Sequence, residues 1–199
     1  MIGDKVPKIK DIQKRKIAAP ADARIIQATN KLKKNDIIIR DARADEATRV
    51  ALLLRSAYQH YQKSMPPDAW RLYLADMMDI RGRLKEAELI VAELEGQLTG
   101  TVTLYLRASS DAFEWPAGWA VVRLLGVLPQ YLGNGIGSAL MDECIRRCRE
   151  RNIKTIGLHT ADIMDVAKGM YERMGFKRIP EFDFHPRPDV VIVAYKLDL

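Results

Sequence analysis

Hydrophobic and polar residues alternate along the chain with two periodicities, and from residue 36 onward these periodicities predict strands and helices. Alternating or continuous runs of apolar and β-branched residues predict the strands. They are DIIIRDA (36–42), the two arms of AELIVAELEGQLTGTVTLYLR (87–107), WAVVRLLGVLP (119–129), KTIGLHT (154–160), FKRIPEF (176–182) and VVIVAYKLDL (190–199). The letters EGQLTG between the two arms of 87–107 are typical of a turn, so we expect an antiparallel hairpin there.

Apolar residues spaced three or four positions apart predict four helices between these strands. The first follows Asp45, a suitable capping residue, and runs to about Gln62. The second has Pro67 and Asp68 in its first turn and ends near Ile80. The third covers 135–151, and the fourth covers about 164–174 and is closed by Gly175.

The order of these elements predicts an α/β (α+β) fold. The segment 119–129 is too apolar for a half-solvated strand, so we expect a central strand that is covered on both faces. Gly126 lies inside it and indicates a bulge or the close approach of another group. A strand, a helix and a strand with short links over 120–160 predict a right-handed parallel crossover. The expected architecture is therefore a mixed sheet with helices on both faces.

Charge divides the chain into two parts. Residues 1–35 contain ten Lys or Arg against three Asp, a net charge of +7, whereas the whole chain of 199 residues has +6. We therefore predict a basic N-terminal extension (1–35) and one domain (36–199) with a net charge near zero. The extension contains no aromatic residue for base stacking, so we do not expect nucleic acid as its partner, although a basic arm is compatible with one.

The composition excludes several classes of protein. The longest apolar runs are far shorter than the roughly 20 residues that a membrane helix needs, which favours a soluble, cytoplasmic protein without a membrane partner. Cys144 and Cys148 have no His or further Cys nearby, so we expect no metal site. At helical spacing they extend the apolar face of the third helix and are interpreted as core residues.

Three glycines at every second position, Gly133, Gly135 and Gly137, open the third predicted helix. Bare backbone at the positive end of a helix dipole is typical of a phosphate site. The dinucleotide pattern G-x-G-x-x-G fails because position 138 is Ser138, and the Walker pattern lacks its Gly-Lys. The pattern that fits is Q-x-x-G-x-G, which starts at Gln130.

With this loop, the sequence resembles the GNAT superfamily of N-acetyltransferases. LLGVLPQYLGNGIGSAL resembles the family's strand, proline and loop, AKGMYERMGF (167–176) its later A-x-x-x-Y-x-x-x-G-F motif, and EGQLTGTVTL its central hairpin. The resemblance covers about 37–198 and implies a mostly antiparallel sheet of about six to seven strands. It also implies acetyl-coenzyme A as cosubstrate, transfer of its acetyl group to an amine by direct attack in a ternary complex, and no metal.

The resemblance further implies roles for individual residues. Strand 120–127 should separate from strand 154–160 near Gly126, so that Leu125 and Val127 contact the pantetheine arm and a backbone N–H polarises the acetyl carbonyl. Tyr171 stands at the position of the general acid that protonates the departing thiolate. The coenzyme diphosphate should lie on the loop that consists of Leu132, Gly133, Asn134, Gly135, Ile136, Gly137 and Ser138.

Three departures from the family pattern change these expectations. The strand lacks the glutamate that often serves as the base, which leaves Glu114, His159, His185 or a water relay as alternatives. Met164 replaces an asparagine that often contacts the coenzyme. LGNG also lacks the usual basic residue, so the diphosphate would depend on N–H groups and the helix dipole.

The acceptor is expected between residues 57–67 and 181–189. Their aromatic and acidic side chains indicate a pocket for a small amine, such as an amino acid, a polyamine or an antibiotic; they are Tyr58, His60, Tyr61, Glu181, Asp183, Phe184 and His185. Three functions stay open: a small-molecule N-acetyltransferase, which we favour, a protein or peptide N-acetyltransferase, and a non-catalytic acyl-coenzyme A sensor. The oligomeric state also stays open, with a homodimer among the alternatives.

Overall fold

The computed structural model describes residues 36–108 and 115–199. The basic extension 1–35 and Glu114, one of the candidate bases, lie outside the described residues, so the division of the chain at residue 35 stays a prediction.

Eight strands form one mixed sheet in the described part of the chain. In chain order they are β1 (Ile38–Asp41), β2 (Glu88–Leu94), β3 (Gln97–Tyr105), β4 (Ala120–Val127), β5 (Thr155–Ala161), β6 (Lys177–Arg178), β7 (Phe184–Arg187) and β8 (Val190–Asp198). Their order in the sheet is β1-β2-β3-β4-β5-β8-β6, and β7 also pairs with β8. The β4–β5 pair is parallel and the other pairs are antiparallel. The predicted fold class is confirmed; the strand count exceeds seven because both short strands, β6 and β7, join β8.

Five α-helices cover the two faces of this sheet within the described residues. They are α1 (Ala47–Tyr58), α2 (Pro67–Met78), α3 (Ile80–Glu86), α4 (Ile136–Glu150) and α5 (Asp165–Arg173). Side chains of β2 alternate between two cores: Ile90 and Ala92 pack with α4 and α5, whereas Leu89 and Val91 pack with α1, α2 and α3. This period of two is what a strand buried on both faces requires.

Helix α4 buries the stripe that contains both cysteines. Cys144 and Cys148 are free thiols in the core between α4 and the sheet, which confirms their packing role. Burial raises the pKa of the Cys148 thiol to about 11. Leu140 and Met141 are fully buried beside them.

Three local predictions are wrong. Helix α1 begins after Glu46, not Asp45, because the Glu46 carboxylate accepts from the backbone N–H of Arg43 (2.9 Å) and closes a 3-10 turn at Ala44–Glu46. The same helix ends at Tyr58, and Gln59–Ser64 forms a 3-10 helix. Of the strand predicted at 176–182 only Lys177–Arg178 pairs with β8, since Pro180 starts a 3-10 turn at Pro180–Phe182.

Two elements were missed by the sequence analysis. Helix α3 follows α2 directly, and its N-cap residue Asp79 accepts from the N–H of Gly82 (3.0 Å). Strand β7 extends the sheet beside β8 after the 3-10 turn. Over residues 36–108 and 115–199 no helix has both the length and the apolar character that a bilayer span requires.

Candidate active site

Strands β4 and β5 pair over only three residues and then separate. Their parallel register runs from Ala120 opposite Ile156 to Val122 opposite Leu158. Beyond this point β4 contains a bulge, since the register with β3 passes from Arg123 opposite Thr103 to Gly126 opposite Thr101. Leu124, inside the bulge, has a left-handed φ of 53°. The separation was predicted near Gly126 and instead begins with this bulge.

Gly126 is required by the close approach of α1. A Cβ atom at this position would lie 3.0 Å from Leu54 Cδ2 and 3.2 Å from the Cβ atom of Ala57. This confirms the expectation of a close approach, while the bulge itself lies two residues earlier.

The backbone of β4 after the bulge faces the gap between the two strands. The N–H of Leu128 donates to the carbonyl oxygen of Thr99 on β3 (2.9 Å). Because backbone groups of alternate residues in an antiparallel pair point in opposite directions, those of Val127 point away from β3. The carbonyl oxygen of Leu125 accepts from the Tyr58 hydroxyl (2.8 Å), which itself shares a hydrogen bond with Tyr73. Helix α1 thus supplies a side chain to the gap.

The glycine-rich loop leads into the first turn of α4. Gly133 and Gly135 both have φ of +78°, which only glycine adopts readily. Ile136 is the first helical residue, and Ala139 N to Gly135 O is the first bond of the helix (2.9 Å). The amides of the first turn therefore precede the intrahelical hydrogen bonds and point outward at the positive end of the dipole.

Two side chains contact this loop, that of Asn134 from within it and that of Met170 from α5. Asn134 Nδ2 donates to the carbonyl oxygens of Tyr131 (3.1 Å) and Leu132 (3.3 Å), which folds the loop onto the turn before it. A Cβ atom at Gly137 would lie 3.2 Å from Met170 Sδ of α5. The Met170 side chain of α5 therefore packs closely against Gly137, whereas Gly133 and Gly135 are needed for their backbone conformation.

A cavity of about 300 Å³ occupies the gap between β4 and β5. It reaches from the core under α4 and α5, which contains Tyr171, to the core under α1–α3, which contains Tyr58 and Met164. The described residues that line it are Tyr58, Met65, Tyr73, Asp76, Val121, Val122, Arg123, Leu124, Leu125, His159, Thr160, Ala161, Met164, Ala167, Tyr171, Phe184, Pro186 and Ile192.

Tyr171 lies on α5 in the wall of this cavity. Its side chain is 5% exposed, and its ring lies 5.7 Å from that of Phe176 and 6.2 Å from that of Tyr195. Burial raises the pKa of the phenol above its usual value near 10. The hydroxyl therefore stays protonated at neutral pH and can donate a proton to a stronger base in the cavity.

His159 is the candidate base that the structure places in the cavity. Its Nε2 lies 2.9 Å from the carbonyl oxygen of Phe182. A carbonyl only accepts, so Nε2 carries the hydrogen and Nδ1 has the lone pair. Burial against Trp115 (4.4 Å between ring centres) and Phe184 (5.0 Å) lowers the pKa of the imidazole, which is neutral at pH 7 and able to accept a proton.

The other acceptor-side candidates are divided between cavity and surface. Tyr58 and Phe184 line the cavity, and Tyr61 packs half-buried beside Tyr58. The remaining candidates do not reach it: His60 is exposed and its ring lies tilted against that of Tyr61 (3.8 Å between ring centres), and His185 and Glu181 are exposed. Asp183 forms an ion pair with Arg178 (2.7 Å) and accepts from the N–H of Ala194 (2.8 Å), so it holds the β6–β8 region together.

An ion pair in the cavity was missed by the sequence analysis. Arg123 on β4 lies 3.1 Å from the Asp76 carboxylate on α2 (Nη2 to Oδ2). Nothing in LADMMD distinguishes Asp76 from a solvated helix residue, because only the packing of α2 against β4 brings it to the gap. Among the described residues, no three His, Cys, Asp or Glu side chains are arranged to hold a metal ion.

The family described as "Acetyltransferase (GNAT) family" matches residues 51–176, more than half of the chain, and the protein belongs to this family. A GNAT acetyltransferase of Staphylococcus aureus Mu50 superposes with a TM-score of 0.63 at 22% identity, covering 82% of this chain and 99% of the other. The PaiA N-acetyltransferase of Thermoplasma acidophilum, solved with coenzyme A, gives 0.64 at 17% identity, covering 81% and 99%. Both have the same fold.

Two named proteins are related in sequence. A mycothiol acetyltransferase of Cellulomonas flavigena is 34% identical over 107 residues, which are 50% of this chain and 31% of that protein. A probable N-acetyltransferase camello of Xenopus tropicalis is 32% identical over 132 residues, which are 65% of this chain and 57% of the other. The similarity thus spans 31% and 57% of the length of these two relatives.

Proposed function

We propose that this protein transfers the acetyl group of acetyl-coenzyme A to the primary amine of a small-molecule acceptor, by direct attack in a ternary complex. The observation that carries the proposal is the cavity between β4 and β5, since it joins the β4 backbone, Tyr171 and His159 in one space of about 300 Å³. That volume lies at the lower end of small-molecule pockets. The family membership and the names of the relatives support acetyl transfer.

Acetyl-coenzyme A fits the residues present at two places. The loop from Leu132 to Ser138 has two left-handed glycines, and its amides point outward at a helix N-terminus, where a diphosphate binds. A residue with a Cβ in place of Gly133 or Gly135 would strain this backbone. Beside Leu125 and Val127, β4 no longer pairs with β5, which leaves a strand edge for an extended pantetheine arm. Bound there, the coenzyme supplies an activated acetyl thioester.

The chain's own residues polarise the acetyl group and move two protons. A β4 backbone N–H at the gap donates to the carbonyl oxygen under attack, and one such donor is typically worth about 10²–10³ in rate. His159 Nδ1, directly or through a water, accepts the proton of the attacking amine as the new C–N bond forms. Tyr171 donates its hydroxyl proton to the thiolate as the C–S bond breaks. The buried surroundings raise the pKa of the departing thiol as well. The pKa values of the phenol and the thiol therefore stay close, and the phenol is able to protonate the thiolate.

The test is the release of free thiol from acetyl-coenzyme A with a panel of amines, with the acetylated product identified by mass spectrometry. Acetylation of small amines supports the proposal. Acetylation of peptides alone would replace it with a protein N-acetyltransferase. Calorimetric binding of acetyl-coenzyme A without transfer to any amine or peptide would replace it with an acyl-coenzyme A sensor.

A further inference from the structure

The carbonyl oxygen of Leu125 lies where β4 has already left β5. The register between these two strands ends at Val122 opposite Leu158, so β5 does not supply a partner for this carbonyl. A backbone carbonyl that is shielded from water needs a hydrogen-bond donor. The Tyr58 hydroxyl is that donor, at 2.8 Å. A side chain of α1 therefore takes the place of the missing strand partner.

The backbone immediately before this carbonyl is strained. Leu124 has a φ of 53°, a conformation that residues with a Cβ rarely adopt. Such a conformation persists only where the surrounding structure holds it. Two contacts do so here: the Leu124 side chain is buried in the core under α1–α3, and Tyr58, the last residue of α1, binds the carbonyl of the next residue. The bulge in β4 thus depends on α1.

Tyr58 has a fixed position. Its side chain is 8% exposed, and its ring lies against Gly126, where a Cβ atom would be 3.5 Å from Tyr58 Cε2. The Tyr73 ring packs edge-on against it (5.7 Å between ring centres), and the two hydroxyls share a hydrogen bond. Because a carbonyl only accepts, Tyr58 donates to Leu125 and its oxygen accepts from Tyr73. Burial raises the pKa of both phenols, so both keep their protons at neutral pH.

We infer that Tyr58 is a positioning residue for the acetyl group, an inference that rests on the proposed acetyl transfer. By holding the Leu125 carbonyl, Tyr58 fixes the orientation of the β4 backbone at the gap, including the N–H that polarises the acetyl carbonyl. Hydrogen bonds weaken steeply when the donor is misaligned, so a small rotation of this backbone lowers the rate. Tyr58 exchanges no proton with the substrates and acts through the main chain.

The infrared band of the thioester carbonyl reports this positioning directly. Acetyl-coenzyme A labelled with carbon-13 at the carbonyl carbon is bound to the full-length protein without an acceptor, and the unlabelled complex is subtracted. A hydrogen bond from β4 lowers the stretching frequency of the carbonyl. In Tyr58→Phe the band should move to higher frequency and become broader, because the donor is less well aligned. An unchanged band at full occupancy would overturn the inference.

Kinetics distinguish positioning from a merely structural role. Tyr58→Phe should lower kcat about 5- to 30-fold, as expected for one well-placed hydrogen bond and the carbonyl that it leaves unpaired. The Kd of acetyl-coenzyme A should change less than about threefold, because the diphosphate loop is untouched. If Tyr58 only joins α1 to β4, the variant has a lower melting temperature and a wild-type kcat below it, and the inference fails.

Tyr195→Phe is the matched control. The Tyr195 hydroxyl donates to Glu172 (3.0 Å), its side chain is fully buried, and it is not among the described residues that line the cavity. This variant loses a hydrogen bond of the same kind and keeps the ring, so the carbonyl band and kcat should be those of the wild type. Equal changes in Tyr195→Phe and Tyr58→Phe would assign the effect to general destabilisation and overturn the inference.

Tyr73→Phe provides a second test that does not require Tyr58→Phe to fold. It keeps the bond from Tyr58 to Leu125 and removes only the donor behind it. The carbonyl band should therefore move in the same direction as in Tyr58→Phe, by a smaller amount. An unchanged band, or a shift larger than that of Tyr58→Phe, would contradict an action through Leu125.

Binding and transfer separate a failure of this inference from a failure of the proposed function. If the wild type binds acetyl-coenzyme A and acetylates no acceptor, the proposed transfer fails, whereas the carbonyl band still decides the role of Tyr58. If transfer occurs and the band is the same in Tyr58→Phe, this inference alone fails. If calorimetry detects no binding of acetyl-coenzyme A, both fail.

Discussion

The substitution Gly135→Ala tests the diphosphate loop, on which coenzyme binding depends. Gly135 has φ +78° and ψ 3°, and a Cβ atom there would meet no atom within 4 Å. The whole penalty therefore comes from the backbone conformation, about 1–2 kcal/mol for an L-residue in the left-handed region. Because the space around the loop is open, we expect the loop to relax when it is empty and to return to its left-handed form on binding.

The strain should then appear as lost affinity. If about 1–2 kcal/mol must be supplied on binding, the Kd for acetyl-coenzyme A rises about 5- to 30-fold. Isothermal titration calorimetry measures this directly. Any strain that the empty loop keeps appears instead as a lower melting temperature, by about 2–4 °C for each kcal/mol in a chain of this size.

Two control variants make the result specific. Gly96 has φ +77° in the β2–β3 hairpin turn with the same open space, so Gly96→Ala carries the same strain away from the site and should bind acetyl-coenzyme A as the wild type does. Gly135→Asn should bind more tightly than Gly135→Ala, because asparagine tolerates the left-handed region. If a double variant with alanine at both 133 and 135 binds with wild-type affinity, the loop is not the diphosphate site.

Three further outcomes follow from the buried titratable groups. Tyr171→Phe should lower kcat about 10- to 100-fold and leave the Kd of acetyl-coenzyme A within twofold; an unchanged kcat would remove Tyr171 from the mechanism. His159 must be neutral to accept a proton and its pKa is below the usual 6.5, so kcat/KM should fall only at acidic pH, through that pKa, and His159→Gln should abolish this acid limb; a limb that persists points to another base. Hydrogen bonds from Arg40 lower the pKa of Glu46 from 4.5 to about 2, so its contribution to stability is complete above about pH 5 and is lost as the pH falls toward 2. Glu46→Gln should remove this part of the pH dependence, at most about 3 kcal/mol in urea unfolding, and a variant that keeps the wild-type pH profile would refute the assignment.

The features predicted best from the sequence are those that depend on a residue's type and its immediate neighbours in the chain. The glycines at 133 and 135 indicate left-handed backbone because no other residue adopts it as readily, and both have φ +78°. The letters EGQLTG were predicted to form the hairpin turn; the turn consists of Glu95 and Gly96, both with positive φ, and β3 already begins at Gln97. Long apolar runs such as β4 and amphipathic runs such as α4 fixed the order of the layers.

Features that depend on tertiary packing could not be predicted from the sequence. The gap between β4 and β5 opens at Leu124, a residue whose positive φ no sequence pattern indicates, so the predicted point of separation was too late. Asp76 enters the cavity only because Arg83 and Arg123 hold the end of α2 against β4. Asp45 is the preferred cap by residue type, but the helix begins after Glu46, whose carboxylate is held by Arg40 of β1.

The most direct measurement of the central claim is a crystal structure of the protein with coenzyme A. The account predicts electron density for the diphosphate against the amides of 133–138 and for the pantetheine arm in the gap between β4 and β5, with its sulfur in the cavity beside Tyr171. A coenzyme bound elsewhere, or a saturated crystal whose gap holds only solvent, would contradict it.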